Sequence, residues 1–85
     1  MVTKDMIIEI KNGLAARPVA LFVQVASQFD SSIYVEYENK KVNAKSIMGM
    51  MALGLNTGEK VKVSAEGNDE EAAISKIEEY LSQTA

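Results

Sequence analysis

The stretch Lys60-Val61-Lys62-Val63-Ser64-Ala65-Glu66 alternates polar and apolar side chains without a break and stops at Gly67. Successive side chains of a strand point to opposite faces, so this stretch makes a strand with one wet and one dry face. Such a strand belongs in an antiparallel sheet covered on one side, because parallel sheets are buried on both faces and read as continuous apolar runs. The rest of the chain has to supply partner strands and a single covering layer.

Ser32 to Tyr37 has the same period, with Ile33, Val35 and Tyr37 set against Tyr34 and Glu36. Glu38-Asn39 then turns it back into a short strand around Lys41-Val42-Asn43. Met6-Ile7-Ile8-Glu9-Ile10 is rich in β-branched residues and runs into Asn12-Gly13, which predicts a strand feeding a loop. Between these strands the period changes. Within Ala16 to Phe29, Val19, Phe22, Val23 and Ala26 recur at i, i+3, i+4 and i+7, one face of a helix with Pro18 in its first turn. Ala20, Leu21 and Val25 lie outside that stripe, an apolar excess available to a partner. Ser46 stands where a second helix begins, its hydroxyl placed to accept a backbone N–H, and Ile47 to Leu55 supplies a short apolar stretch closed by Gly54 and Thr57-Gly58. Asn68 and Glu71 have the spacing of a capping box, and Ala73, Ile74, Ile77 and Leu81 make the buried stripe of a final helix. The order strand, helix, strand, strand, helix, strand, helix predicts an α+β fold in one domain, residues 1–85. It has a four-stranded antiparallel sheet with three helices on one face.

Composition narrows the chemistry. The chain has no cysteine and no histidine, so it lacks disulfides, thiolate metal sites and the commonest metal ligand; neither metal nor cofactor is expected. No paired carboxylates, nucleophile–base pair or glycine-rich phosphate loop stands out, which sets an enzyme aside. A net charge of −3 is the wrong sign for holding a nucleic-acid backbone, and Tyr34, Tyr37 and Tyr80 have no interleaved basic residues to make a stacking surface. No apolar run is long enough for a signal sequence or a membrane span, and the expected location is the cytoplasm. Lys40, Lys41 and Lys45 read as a solvated hairpin edge, and Asp69, Glu70 and Glu71 as acids that complement a helix N-terminus.

Three pieces carry a resemblance that runs nearly end to end. They are Gly13-Leu14-Ala15-Ala16-Arg17-Pro18, Val42-Asn43-Ala44-Lys45-Ser46-Ile47-Met48-Gly49, and the turn-strand-glycine pattern from Gly54 through Gly67. Together they resemble the HPr family, which comprises the histidine phosphocarrier of the sugar phosphotransferase system and its histidine-lacking catabolite-repression branch, Crh. The resemblance implies an open-faced β-sandwich of βαββαβα order, in agreement with the periodicity.

It does not carry the relay function over. The family's phosphorylated histidine position holds Ala15, whose methyl group is not a nucleophile and cannot carry a phosphoryl group. Two explanations stand open: a natural non-carrier of the Crh kind, which the Leu14 to Gln24 stretch resembles more, or a carrier whose histidine has been replaced. The resemblance further implies regulatory phosphorylation of Ser46 by HPr kinase/phosphorylase, and service as corepressor of a CcpA-type regulator of the LacI family. The partner surface it implies comprises Leu14, Arg17, Leu21, Lys45, Ile47, Met48 and Met51. Periodicity alone leaves the methionine-rich stretch either in the core or exposed beside Ser46. An acyl carrier is also small and acidic with a serine at a helix start, but it needs an acid before the serine and an all-helical bundle; here Lys45 precedes and strands abound. A monomer is the default. A homodimer that exchanges its first strand about Lys11-Asn12-Gly13 is the alternative.

Overall fold

The computed structural model describes residues 1–10 and 16–83. In chain order its elements are β1 (Val2–Ile7), α1 (Ala16–Ser27), β2 (Ser32–Tyr37), β3 (Lys40–Asn43), α2 (Ile47–Leu53), β4 (Lys60–Glu66) and α3 (Glu70–Leu81). The strands form one sheet in the order β1-β4-β2-β3, and every neighbouring pair is antiparallel. The three helices cover one face of this open sheet, as the alternation in β4 requires.

The register shows how the two faces are sorted. Val63 lies between Lys4 and Val35, and Ala65 between Val2 and Ile33. Met6, Ile33, Val35, Val61, Val63 and Ala65 are buried on the covered side, against Val19, Phe22, Val23 and Ala26 of α1, Met50 and Leu53 of α2, and Ala73, Ile74, Ile77 and Leu81 of α3. At the rim of that side, the Lys4 ammonium reaches Glu78 of α3 at 2.8 Å. On the open side the row Asp5, Lys62, Glu36, Lys41 runs across four neighbouring strands with alternating charge. Lys41 also places its ammonium 5.1 Å from the centre of the Tyr34 ring. A face lined this way has no need of a cover.

Two local expectations are corrected. The first strand occupies Val2–Ile7 rather than Met6 to Ile10, because Lys60 to Ala65 of β4 offer ladder partners to residues 2–7. Beyond β1 the backbone still bonds, with the Ile8 amide on the Glu59 carbonyl and the Glu9 amide on that of Leu81. The start of α3 is built one residue away from the expected box. Asp69 is the N-cap residue but gives its side chain elsewhere, and Glu70 Oε1 accepts the Gly67 N–H at 3.1 Å. The Asp69 carboxylate instead accepts the Asp30 amide at 2.9 Å, and the amide and hydroxyl of Ser31. It therefore pins the loop between α1 and β2 to the start of α3.

Candidate functional site

Ser46 sits at the junction of β3 and α2 in extended conformation, φ −105° and ψ 113°. Its position is set from both directions. Upstream, Asn43 Oδ1 accepts the Lys45 amide at 2.8 Å and the Asn43 carbonyl accepts the Ser46 amide at 3.0 Å, a tight turn held by one asparagine. Downstream, the Ser46 hydroxyl accepts the Gly49 N–H at 3.1 Å, which satisfies one of the free amides at the start of α2. The far end of α2 closes on Gly54 in the left-handed conformation.

A Cβ added at Gly49 would lie 3.3 Å from the Ser46 hydroxyl oxygen and 3.3 Å from Val42 Cβ. Sequence reasoning did not single out Gly49 or Asn43, which define the pocket of backbone around Ser46. Asn43 carried a usable signal, since an asparagine two residues before a lysine and three before a capping serine fits an Asx turn.

The seven residues of α2 are sorted by face. Met50 and Leu53 point into the core, and Leu55 just past the cap is buried too. Ile47, Met48 and Met51 turn outward and are 46 %, 84 % and 49 % exposed. The structure thus resolves the open alternative for the methionine-rich stretch in favour of an exposed apolar patch beside Ser46. Leu21 of α1, 47 % exposed, belongs to the helix that packs against α2.

Lys45 is half-buried and commits its ammonium to the Phe29 carbonyl at 2.7 Å, just after the end of α1. Its charge therefore braces the chain between α1 and β2. Leu14 and Ala15 lie outside the described residues, and Arg17 is placed only as part of the first turn of α1. That turn is tied to α3 by the Tyr80 hydroxyl, which donates to the Pro18 carbonyl at 2.9 Å; burial raises the Tyr80 pKa. Tyr80 was not among the residues sequence reasoning assigned to this end of the molecule, because the contact spans 62 positions.

A depression of about 310 Å³ between the β2–β3 turn and the end of α2 is lined by Tyr37, Glu38, Asn39, Lys40 and Leu53. None of these is a candidate site residue. The site is a surface.

The family model described as "PTS HPr component phosphorylation site" matches residues 2–83. The chain belongs to the HPr family. Its HPr-like relatives include Crh of Bacillus subtilis (strain 168), 47% identical over 83 residues that cover 98% of each chain. Among solved structures, HPr from Thermoanaerobacter tengcongensis is 57% identical with a TM-score of 0.91, covering 95% of this chain and 91% of the other. A crystal structure of Bacillus subtilis Crh, described as a domain-swapping dimer, is 48% identical with a TM-score of 0.76, covering 95% and 93%. In this HPr-family chain position 15 is an alanine, whose methyl group cannot accept a phosphoryl group, and position 46 is a serine, whose side chain has a hydroxyl. No helix among the described residues is long and apolar enough to cross a membrane.

Proposed function

We propose that this HPr-family chain is a non-enzymatic regulatory adaptor of carbon catabolite repression in the cytoplasm. In this reading HPr kinase/phosphorylase phosphorylates Ser46, and the phosphorylated chain acts as corepressor of a CcpA-type regulator of the LacI family. The observation that carries the reading is the pairing of a hydroxyl held at the start of α2 by Gly49 with the outward-facing Ile47, Met48 and Met51.

Phosphorylation would add roughly −1.5 to −2 charges at neutral pH. The esterified oxygen keeps a lone pair for the Gly49 amide, and no core side chain needs to move. The signal is then electrostatic: the new dianion pairs with a partner's arginine or lysine and repels a partner's acids, while the apolar patch supplies buried area. Leu21 extends the surface onto α1 and Lys45 supports it from behind through Phe29, while Leu14 and Arg17 are partner candidates on the resemblance alone. Incubation with the kinase and ATP should add one phosphate, absent in Ser46→Ala, and the product should gain affinity for the regulator. An unchanged intact mass would sink the reading.

One observation favours a second reading, a phosphocarrier whose active histidine is replaced by Ala15. Identity to the HPr of Thermoanaerobacter tengcongensis, 57%, exceeds that to Crh of Bacillus subtilis, 47%. Ala15→His discriminates. A variant that accepts phosphoryl groups from the sugar-uptake enzymes and passes them on supports the carrier lineage, and an inert variant supports the adaptor.

The chain is proposed as a monomer, with β1 at a sheet edge able to exchange between two copies. Light scattering over a dilution series decides between the two, a dimer that persists on dilution overturning the monomer.

A further inference from the structure

All the sulfur of this chain is in methionine, since its sequence has five methionines and no cysteine. Their settings divide sharply. Met6 of β1 and Met50 of α2 are buried in the core, whereas Met48 and Met51 lie on the outer side of α2. Met48 is more exposed than any other large apolar side chain among the described residues. Met50 is adjacent to Met51 in sequence yet faces inward, because each helical step rotates the side chain by about 100°. A single short helix therefore contains both the open sulfurs and their buried control.

Oxidation of a thioether follows access, and the sulfoxide it yields is polar where the thioether was apolar. We propose that Met48 and Met51 form a peroxide-sensitive modification site that turns the outer face of α2 from apolar to polar without unfolding the protein. In the forward step a sulfur lone pair attacks one oxygen of hydrogen peroxide. The S–O bond forms, the O–O bond breaks, and the second oxygen leaves as water, so sulfur loses the two electrons that peroxide gains. Reversal takes two thiols, which become a disulfide while the sulfoxide oxygen departs as water. The fold tolerates the change because neither side chain belongs to the core, and the Ser46–Gly49 cap does not involve them. The consequence for a partner rests on the function proposed above, in which the kinase must reach Ser46 beside this face; the sensitivity of the site does not.

The test treats the full chain with dilute hydrogen peroxide and maps the products. Trypsin separates Met1, Met6 and the Ser46 to Lys60 segment, and fragmentation places each oxygen within that segment. Met48 and Met51 are expected to oxidise at least about tenfold faster than Met50 or Met6, with the circular dichroism and the cooperative melt unchanged. Phosphorylation of Ser46 by the kinase is expected to fall at least about fivefold in the oxidised chain, and to be unaffected by peroxide in the Met48→Leu, Met51→Leu double variant. The exposed Met1 oxidises in both chains and so cannot produce that difference. Equal rates at Met48 and Met50, or loss of the cooperative melt with the first oxygens, would overturn the site. An untreated chain that takes no phosphate removes the proposed function, and the control of phosphorylation with it, while the peroxide map still decides the site. An untreated chain phosphorylated no better than the oxidised one overturns the control alone.

Discussion

Gly67 passes so close to Ser31 that a Cβ on the glycine would stand 2.7 Å from the Ser31 Cα and 2.6 Å from its hydroxyl oxygen. Its φ of +154° is also one that residues with side chains rarely adopt. Gly67→Ala should therefore lower stability by about 2 kcal/mol or more, read as a drop in thermal midpoint. Gly54 separates strain from collision: its φ is +60° but nothing stands within 4 Å of the added carbon. Gly54→Ala should cost only about 1 kcal/mol. Equal losses in the two variants would show that the approach to Ser31 is not what constrains position 67.

The same junction makes stability depend on acid. Asp69 has its pKa lowered, first by the Ser31 hydroxyl and then by the Asp30 amide. That of Glu70 is lowered chiefly by the Gly67 amide. Each carboxyl holds its charge more firmly in the folded chain than in the unfolded one. Their stabilisation is complete above the unfolded carboxylate range and is lost as pH falls through the lowered folded values, because the unfolded chain takes up protons first. Urea midpoints should fall from about pH 6 downward past pH 4, and Asp69→Asn should show a smaller fall on top of a lower starting stability. A variant as steeply acid-sensitive as the parent would place the effect elsewhere.

Glu38 is the described non-glycine residue with a positive φ, +55°, and it occupies the first position of the two-residue β2–β3 turn. Turns of this kind favour glycine or asparagine where φ is positive. Glu38→Gly should raise stability by roughly 0.5–1 kcal/mol, since relief of left-handed strain outweighs the added freedom of the unfolded chain. Chemical denaturation with an unchanged slope is the appropriate measure, and a loss of stability would mean the glutamate side chain contributes a contact that outweighs the strain.

The strand faces and helix stripes were legible because they depend on local periodicity. The alternation in β4 and the i, i+3, i+4, i+7 pattern of Val19, Phe22, Val23 and Ala26 each face the core as expected. The cap at Ser46 was legible for the same reason, since donor and acceptor are three residues apart. What escaped depends on distant parts of the chain. Asp69 serves Ser31 across 38 residues, which displaced the expected box at the start of α3. The limits of β1 were set by what β4 offers it, and the apolar richness of Met6 to Ile10 could not reveal them. Whether a methionine of α2 faced in or out was likewise undecidable until α1 and the sheet fixed which side was covered.

Ser46 has two roles, and substitution can separate them. Ser46→Ala removes both the phosphate acceptor and the bond from the Gly49 amide, so it should lose about 1 kcal/mol of stability as well as the modification. Loss of regulator binding in that variant alone would be ambiguous. Ser46→Asn keeps a side-chain oxygen that can accept the same amide, and asparagine caps helices as well as serine does, so its thermal midpoint should stay close to that of the parent. It has no hydroxyl to esterify. If the adaptor works through a phosphate at this position, Ser46→Asn should be as stable as the parent and as silent toward the regulator as Ser46→Ala, measured in one binding titration after kinase treatment. Regulator binding retained by Ser46→Asn would show that the face of α2, and not its phosphate, carries the recognition.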